Sequence, residues 1–234
     1  MLTIWRSSNR LPRQSGRHRK NGSSHNVAHR AVGLNTETTR VEAFSDGVFA
    51  IAITLLILEI KVPSPGSGEL AGQLLKQWPS YVSFAMSFAF IGIMWMNHHR
   101  LFTHIERCDN LLLVFNLLLL LGVTVVPFPT AVLAVHLGRP DQRTAVILFN
   151  ATYVFIAVFF NVLWRYAASS ERGLLAPDVD TASVESLTRQ YAFGPILYLV
   201  CLGLTWVSVP ASLLLNIGLA CFFALPPSWA RNGK

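Results

Sequence analysis

Six apolar stretches, each about long enough to cross a lipid bilayer, follow one another through most of this chain. The hydrocarbon core of a bilayer is about 30 Å thick, and a helix crosses it with roughly 20 predominantly apolar residues. Because no water is available there to satisfy the peptide groups, such a chain folds as a bundle of transmembrane helices. The predicted spans are 44–60, 79–97, 110–135, 145–166, 190–207 and 210–226.

The last two spans are separated by a proline rather than by a polar loop. Residues 191–227 carry no charge and are too many for one crossing. Proline has no N–H to donate and is most favourable in the first turn of a helix, so we predict that Pro210 ends one helix and starts the next. We therefore predict a tight hairpin with its turn at 208–210. Pro127 and Pro129 are expected to kink or end the third span near its outer end.

The composition favours a membrane protein and excludes two other classes. Hydrophobic residues make up 52% of the 234 residues, charged residues 13%, and the mean hydropathy is +0.44. A soluble domain of this size does not bury so much apolar surface. The net charge of +7 is concentrated, because 8 of the 19 Lys and Arg fall in residues 1–40 beside a single acid, Glu37. This asymmetry favours contact with a lipid bilayer and not with nucleic acid.

The distribution of Lys and Arg predicts that both termini lie in the cytoplasm. Fifteen of the 19 fall on the side of the membrane where the termini lie, and cytoplasmic segments carry the excess of Lys and Arg. An even number of spans agrees, because it places both termini on the same side. The four on the opposite side are Lys61, Lys76, Arg139 and Arg143. The predicted domains are a disordered basic cytoplasmic tail over 1–39, a six-helix transmembrane domain over 40–227 and a short cytoplasmic tail over 228–234. The Arg-rich composition of 1–39 also fits an organellar transit peptide.

Motifs of soluble catalysis are missing from the sequence. It contains no GxSxG, no P-loop and no HExxH, so we predict that the chain is not an enzyme. A group of His and Cys follows the second span, but its spacing matches no common metal site, and interfacial histidines are expected instead. The group comprises His98, His99, His104 and Cys108.

The first span, 44–60, is the first predicted transmembrane helix and is called α1 here. It carries a one-sided, uncharged stripe, named the α1 stripe. At about 100° per residue its members fall within one arc of the helix. They are Gly47, Ile51, Thr54, Leu55, Leu58 and Val62. Periodicity alone leaves two interpretations open: the stripe faces a pore, or it faces lipid while Ser45 or Asp46 caps the helix.

Polar side chains in the third and fourth spans are expected to hold helices together. A polar group in hydrocarbon is costly unless it faces protein or water. In the fourth span such residues recur on one side, and the third span has an asparagine in its apolar interior. They are Asn150, Tyr153, Asn161 and Trp164, with Asn116 in the third span.

Two motifs resemble the transmembrane protein 175 family of potassium channels. The first is Arg40-x-x-x-Phe44-Ser45-Asp46-Gly47, followed by Val-Phe-Ala-Ile-Ala-Ile-Thr-Leu-Leu. The second is Trp95-Met-Asn97-His98-His99-Arg-Leu-Phe102 at the end of the second span. The resemblance extends over roughly 38–226 and implies a six-helix repeat whose first helix lines a central pore. With one repeat, the chain is similar to the prokaryotic members, which are tetramers, and this implies a place in the plasma membrane of a prokaryote.

The resemblance also implies roles for individual residues. Ile51, Leu55 and Leu58 match the apolar constrictions of the pore, and Thr54 matches the hydroxyl position that is tied to cation preference. The resemblance implies that residues of both motifs form a polar cluster that holds the first two helices together. Either His98 or His99 can fill the histidine position of this cluster. Its residues are Arg40, Ser45, Asp46, Trp95, Asn97 and His98, with Phe44 and Gly47 in the same motif.

The expected function is a potassium-preferring cation channel, built as a homotetramer around permeant potassium ions without a cofactor. A narrow apolar ring gates by excluding water, and because the TVGYG filter is missing, modest selectivity is expected. One alternative is a proton channel or proton-coupled transporter, with Asp46 and His98 as the titratable groups near the pore. Another is a structural membrane protein that does not conduct.

Overall fold

The computed structural model describes residues 21–65 and 68–224, with side chains from Glu37 onward. The bundle belongs to the compact unit that begins at Leu34. A short 3-10 helix, Leu56–Glu59, directly follows the first α-helix. The α-helices of the described residues are α1 (Asn21–Leu55), α2 (Leu70–Lys76), α3 (Trp78–Phe102), α4 (Asn110–Val125), α5 (Pro127–His136), α6 (Gln142–Ala167), α7 (Thr181–Val207) and α8 (Val209–Ala224).

Five helical segments of the described residues are long and apolar enough to cross a membrane. They are Glu37–Glu59, Trp78–Phe102, Asn110–His136, Gln142–Ala167 and Thr181–Val207. The sixth predicted span corresponds to a shorter apolar helix, Val209–Ala224, whose 16 residues extend about 24 Å. Its predicted end at residue 226 lies outside the described residues. The prediction of an all-α membrane protein is confirmed, as five long apolar helices and a shorter one.

Both proline-based predictions are confirmed. The third span divides into α4 and α5, with Pro127 as the first residue of α5. The hairpin turn forms at Ser208, whose backbone is extended at φ −154° and ψ 114°, and α8 begins at Val209. Proline in the first turn of each new helix leaves no helical hydrogen bond unmade.

Two predicted boundaries differ from the structure. The reason is that neither helix capping nor a change from α-helical to 3-10 geometry is determined by hydropathy. The fifth span was expected to begin at residue 190, but α7 begins at Thr181. Its N-cap is Asp180, whose carboxylate accepts hydrogen bonds from the N–H groups of Ala182 and Ser183. In the first span the α-helix ends at Leu55 and continues only as the 3-10 turn.

α6 lies at the centre of the bundle, in contact with α4, α5, α7 and α8, while α3 packs on α5 and α8. The approach of α4 to α6 is close at Gly122, where a Cβ would lie 2.7 Å from Cγ1 of Ile156. Connecting segments gather at two opposite ends of the bundle. End I contains residues 61–65, 68–77 and 137–141, and end II contains residues 103–109 and 168–180.

A buried polar hub joins α6 to α7 and α8, as the side chains of the fourth span predicted. The amide nitrogen of Asn150 donates to the hydroxyls of Thr205 and Ser212, each at 2.9 Å. Its amide oxygen accepts from Asn216 at 2.8 Å. On the same helix Trp164 donates to Thr188 at 2.8 Å, Tyr153 is buried, and Asn161 is half-buried. These bonds satisfy polar groups that lipid would leave without partners.

The predictions for the two tails stay predictions. Residues 1–20 and 225–234 lie outside the described part of the chain. For residues 21–36 only the backbone is described, as the first part of α1.

Candidate functional site

The α1 stripe is exposed along the compact unit. Ile51 is 61% exposed, Leu55 41% and Leu58 60%, although all three are large apolar side chains. Gly47 and Thr54 are also exposed, and a Cβ on Gly47 would meet nothing within 4 Å. The Thr54 hydroxyl bonds to the carbonyl oxygens of Ala50 and Ile51, both at 2.9 Å, so it lies against its own helix and leaves its oxygen lone pairs outward.

The 3-10 turn keeps the lower part of the stripe in line. Leu58 lies in this turn, and Val62 lies beyond the helix. Side chains three residues apart eclipse in a 3-10 helix, so a turn of this geometry after Leu55 keeps Leu58 on the side that carries Leu55. Both side chains are exposed, which agrees with the side that the α-helical spacing of the stripe predicts.

The opposite face of α1 is buried in the bundle core. Phe49, Ala52 and Leu56 are each at most 2% exposed. This division fixes the rotation of α1 about its axis, because the free energy of burying these side chains holds that face inward. The stripe is consequently the side that α1 turns away from its own chain.

A chain of buried hydrogen bonds connects α1, α3 and α4. The Ser45 hydroxyl donates to the Val41 carbonyl at 2.8 Å and accepts from the Asn116 amide nitrogen at 3.0 Å. The Asn116 oxygen is 2.9 Å from Nε2 of His98, which is fully buried. With its proton on Nε2, His98 donates to the Asn116 oxygen, and each of the three hydrogen bonds then has one donor and one acceptor. This tautomer of His98 therefore fits the hydrogen-bonded series. His98 also stacks on Phe102, with 4.5 Å between ring centroids.

A second, more exposed set of contacts runs beside the first. Nε1 of Trp95 donates to the Asp46 carboxylate at 2.8 Å. One turn away, Nδ1 of His99 is 2.6 Å from the Glu42 carboxylate, and the rings of Trp95 and His99 stack at 6.3 Å. Both histidines of the doublet are therefore engaged with different partners, and His99 does not replace His98.

The remaining residues of the two motifs lie outside these contacts. Asn97 donates to the carbonyls of Ile93 and Phe223, which joins α3 to α8 rather than to α1. Arg40, Phe44 and Gly47 are exposed and make none of the side-chain hydrogen bonds found among the described residues that join α1 to α3 and α4.

The interpretation of Ser45 or Asp46 as a helix cap is wrong. α1 begins at Asn21, so both residues lie in the helix interior. Their side chains bond to neighbouring helices and to a preceding carbonyl, not to free N–H groups of a first turn.

The bonds of Asn116 to Ser45 on α1 and to His98 on α3 agree with the prediction that Asn116 joins helices, although its partners follow only from the three-dimensional placement of α4. The sequence analysis did not identify Glu42 as a member of these contacts. Glu42 precedes Asp46 by one helical turn and so falls on the same flank.

At end II, α1 is tied to the α3–α4 connection. The Thr38 hydroxyl donates to the Glu106 carbonyl at 2.9 Å and accepts from the Cys108 thiol at 3.6 Å. Burial raises the pKa of Cys108, so this thiol is protonated at neutral pH. Next to it, burial acts to raise the pKa of Asp109, but the hydrogen bonds from Tyr166 and the Leu112 N–H outweigh burial and lower it. Asp109 therefore caps α4 as a carboxylate.

Known proteins are similar to this chain in sequence and in fold. The sequence matches the profile of the family "Endosomal/lysosomal potassium channel TMEM175" over residues 40–127. A potassium channel of Chamaesiphon minutus is 50% identical over 193 residues, which cover 81% of this chain and 95% of that protein. A potassium channel of Streptomyces collinus is 44% identical over 190 residues, covering 80% of this chain and 91% of that protein.

A solved structure is also similar. The crystal structure of a lysosomal potassium-selective channel TMEM175 homolog from Chamaesiphon minutus has a TM-score of 0.74 and 47% identity, and covers 82% of this chain and 99% of that chain. The bundle and the outward α1 stripe define the class, a multi-span α-helical membrane protein. The chain belongs to the TMEM175 family. Because this is a channel family, the prediction that the chain is not an enzyme is confirmed.

Proposed function

We propose that this chain conducts potassium ions through a pore surrounded by the first helices of several copies. The observation that carries the proposal is the two-sided character of α1. One side is buried in the bundle, and the other exposes large apolar side chains, with Ile51 at 61%. Two relatives that match 81% and 80% of this chain are named potassium channels.

A homotetramer is the assembly that we propose. One helix cannot enclose water, and each chain offers one such stripe, so several copies are needed around an axis. Closed rotational symmetry is the usual solution for identical subunits. Four branched side chains at the level of Ile51 are enough to meet at the axis. With end II in the cytoplasm, both termini are cytoplasmic, and the cell membrane is the proposed location.

The gate consists of the apolar rings at Ile51, Leu55 and Leu58. A narrow apolar constriction expels water, and an ion cannot leave its hydration shell there without replacement ligands. A small widening rewets the constriction and allows hydrated ions to pass. The closed pore therefore needs no charged residue to block the passage of ions.

Thr54 supplies the only side-chain oxygens of the stripe. Its hydroxyl hydrogen is directed to helix carbonyls, so the lone pairs of the oxygen are free to face a cation on the axis. Four weak oxygen ligands give a modest preference among monovalent cations, in contrast to a stack of carbonyl rings.

Titratable groups lie off the α1 stripe in the described residues, which supports potassium rather than protons as the permeant ion. His98 is fully buried behind α1 and bonded to Asn116. Asp46 is on the flank and bonded to Trp95.

Ion flux into vesicles containing the purified protein tests the proposed function. We expect reversal potentials that follow the potassium gradient more closely than the sodium or pH gradient. Thr54→Val is expected to reduce the potassium-over-sodium preference, because it removes the oxygen but keeps the shape. Thr152→Val is the matched control, since the Thr152 hydroxyl only bonds back to Leu148 within α6. Absence of flux, or potentials that follow pH alone, would overturn the proposal.

A further inference from the structure

A polar groove at end I lies between three segments of the compact unit. It has a cavity volume of about 690 Å³ and is lined by residues 61–64, 73, 76–80, 134–135 and 137–139. The segments are the chain after the 3-10 turn, the junction of α2 and α3, and the end of α5. The groove shares only Val62, the last member of the α1 stripe, and does not include the proposed gate residues Ile51, Leu55 and Leu58.

Positive charge is concentrated in this groove. Its lining contains Lys61, Lys76 and Arg139, and none of its lining residues is Asp or Glu. Within the described residues these three cations form no ion pair, and the nearby Asp141 is paired with His136 at 2.5 Å. Loops on the outer side of a membrane protein usually carry few Lys and Arg residues. Here three of the four cations on the proposed outer side lie in one groove, which suggests that they bind an anion.

The groove also has the features of a membrane interface. Trp78 lies in its wall, is 52% exposed and begins a predicted membrane span, as interfacial tryptophans do. Val135, which is also exposed, gives the lining an apolar edge. A ligand that fits has an anionic group at the cations and an apolar part beside Trp78 and Val135.

Gln77 adds a hydrogen-bonding feature to the wall. Its side-chain oxygen is buried and accepts no hydrogen bond from the described residues. A buried acceptor without a donor costs free energy, and a rotation of the Gln77 side chain into the groove would let a ligand hydroxyl donate to this oxygen.

We propose that this groove binds the headgroup of an anionic phospholipid that carries hydroxyl groups, of which phosphatidylglycerol is the simplest. The phosphodiester lies between Lys61, Lys76 and Arg139, a glycerol hydroxyl donates to Gln77, and the acyl chains pass beside Trp78. Free inorganic phosphate shares the anionic chemistry but cannot use the apolar edge. Basic pockets between transmembrane helices bind lipid headgroups in this way.

Lipid binding to the purified full-length chain tests this assignment. Phosphatidylglycerol or phosphatidylcholine is titrated in detergent, and the retained lipid is measured by native mass spectrometry. We expect retention of phosphatidylglycerol and about hundredfold weaker binding by the triple variant Lys61→Gln, Lys76→Gln, Arg139→Gln, at about fivefold per cation. Arg143→Gln is the matched control, because Arg143 is an exposed cation near the same end but does not line the groove.

Three results would overturn the assignment. They are equal retention of phosphatidylglycerol by the triple variant and Arg143→Gln, equal retention of both lipids by the unmodified chain, and displacement of the lipid by millimolar inorganic phosphate. If the triple variant loses its assembly mass or thermal stability, Arg139→Gln alone is compared with Arg143→Gln, and about fivefold weaker binding is expected. The readout does not involve ion flux, so failure of this inference and failure of the proposed conduction are distinguishable.

Discussion

Replacing Ile51 by asparagine is expected to increase potassium conductance about tenfold. In the proposed pore this position forms an apolar ring that expels water, and four amides would keep the constriction wet and offer oxygen ligands. A barrier lowered by about 1.4 kcal/mol corresponds to a tenfold faster passage. Because Ile51 is 61% exposed in the single chain, the substitution buries no polar group within the subunit. Single-channel or vesicle flux recordings measure the effect.

The control for Ile51→Asn is the same change at another exposed apolar position. Leu199 on α7 is 51% exposed and is not part of the α1 stripe. Leu199→Asn is expected to leave conductance unchanged. Equal currents from the unmodified channel and Ile51→Asn would contradict the assignment of this residue to the gate.

Asn116→Leu is expected to cause the largest loss of stability among single substitutions in the hydrogen-bonded contacts. It removes the acceptor for His98 and the donor to Ser45 in a fully buried site. A buried polar group left without a partner costs about 1–3 kcal/mol, so His98 alone accounts for a clear effect. The predicted result is a lower thermal midpoint in detergent and reduced flux, since α1 loses its link to α4.

Thr124→Val on the same helix is the matched comparison. Among the described residues the Thr124 hydroxyl bonds only to the Leu120 carbonyl one turn before it, so its loss breaks no hydrogen bond between these helices. A thermal midpoint of Asn116→Leu equal to that of Thr124→Val would show that the link between α1, α3 and α4 does not stabilise the protein.

Features governed by local chemistry could be predicted from the sequence. The hairpin turn at Ser208 and the division of α4 from α5 follow from proline, which acts on its own helix. The side of α1 that carries Ile51 and Leu55 follows from helical periodicity. The interpretation of that side as a pore required the family resemblance, because periodicity does not distinguish lipid from water.

Features that depend on neighbouring helices could not be predicted in this way. The role of Asn116 arises because α4 places it between Ser45 and His98, and no sequence spacing records that placement. Asn97 shares a motif with His98 but contacts α8, since adjacent residues of a helix point about 100° apart. The tightening of α1 after Leu55 has no signal in hydropathy, because apolar residues continue through it.

The central claim is that the α1 stripes of several subunits face one another, and a cross-link tests it most directly. Ile51→Cys is introduced in a chain whose native Cys108, Cys201 and Cys221 are replaced by alanine, with Leu199→Cys as the control. Disulfide formation requires Cα atoms about 4.4–6.8 Å apart, which positions at a closed axis can reach and positions on an outer face cannot. On oxidation in membranes, we predict covalent dimers for Ile51→Cys and none for Leu199→Cys. Dimers that form no faster at position 51 than at position 199 would contradict the pore.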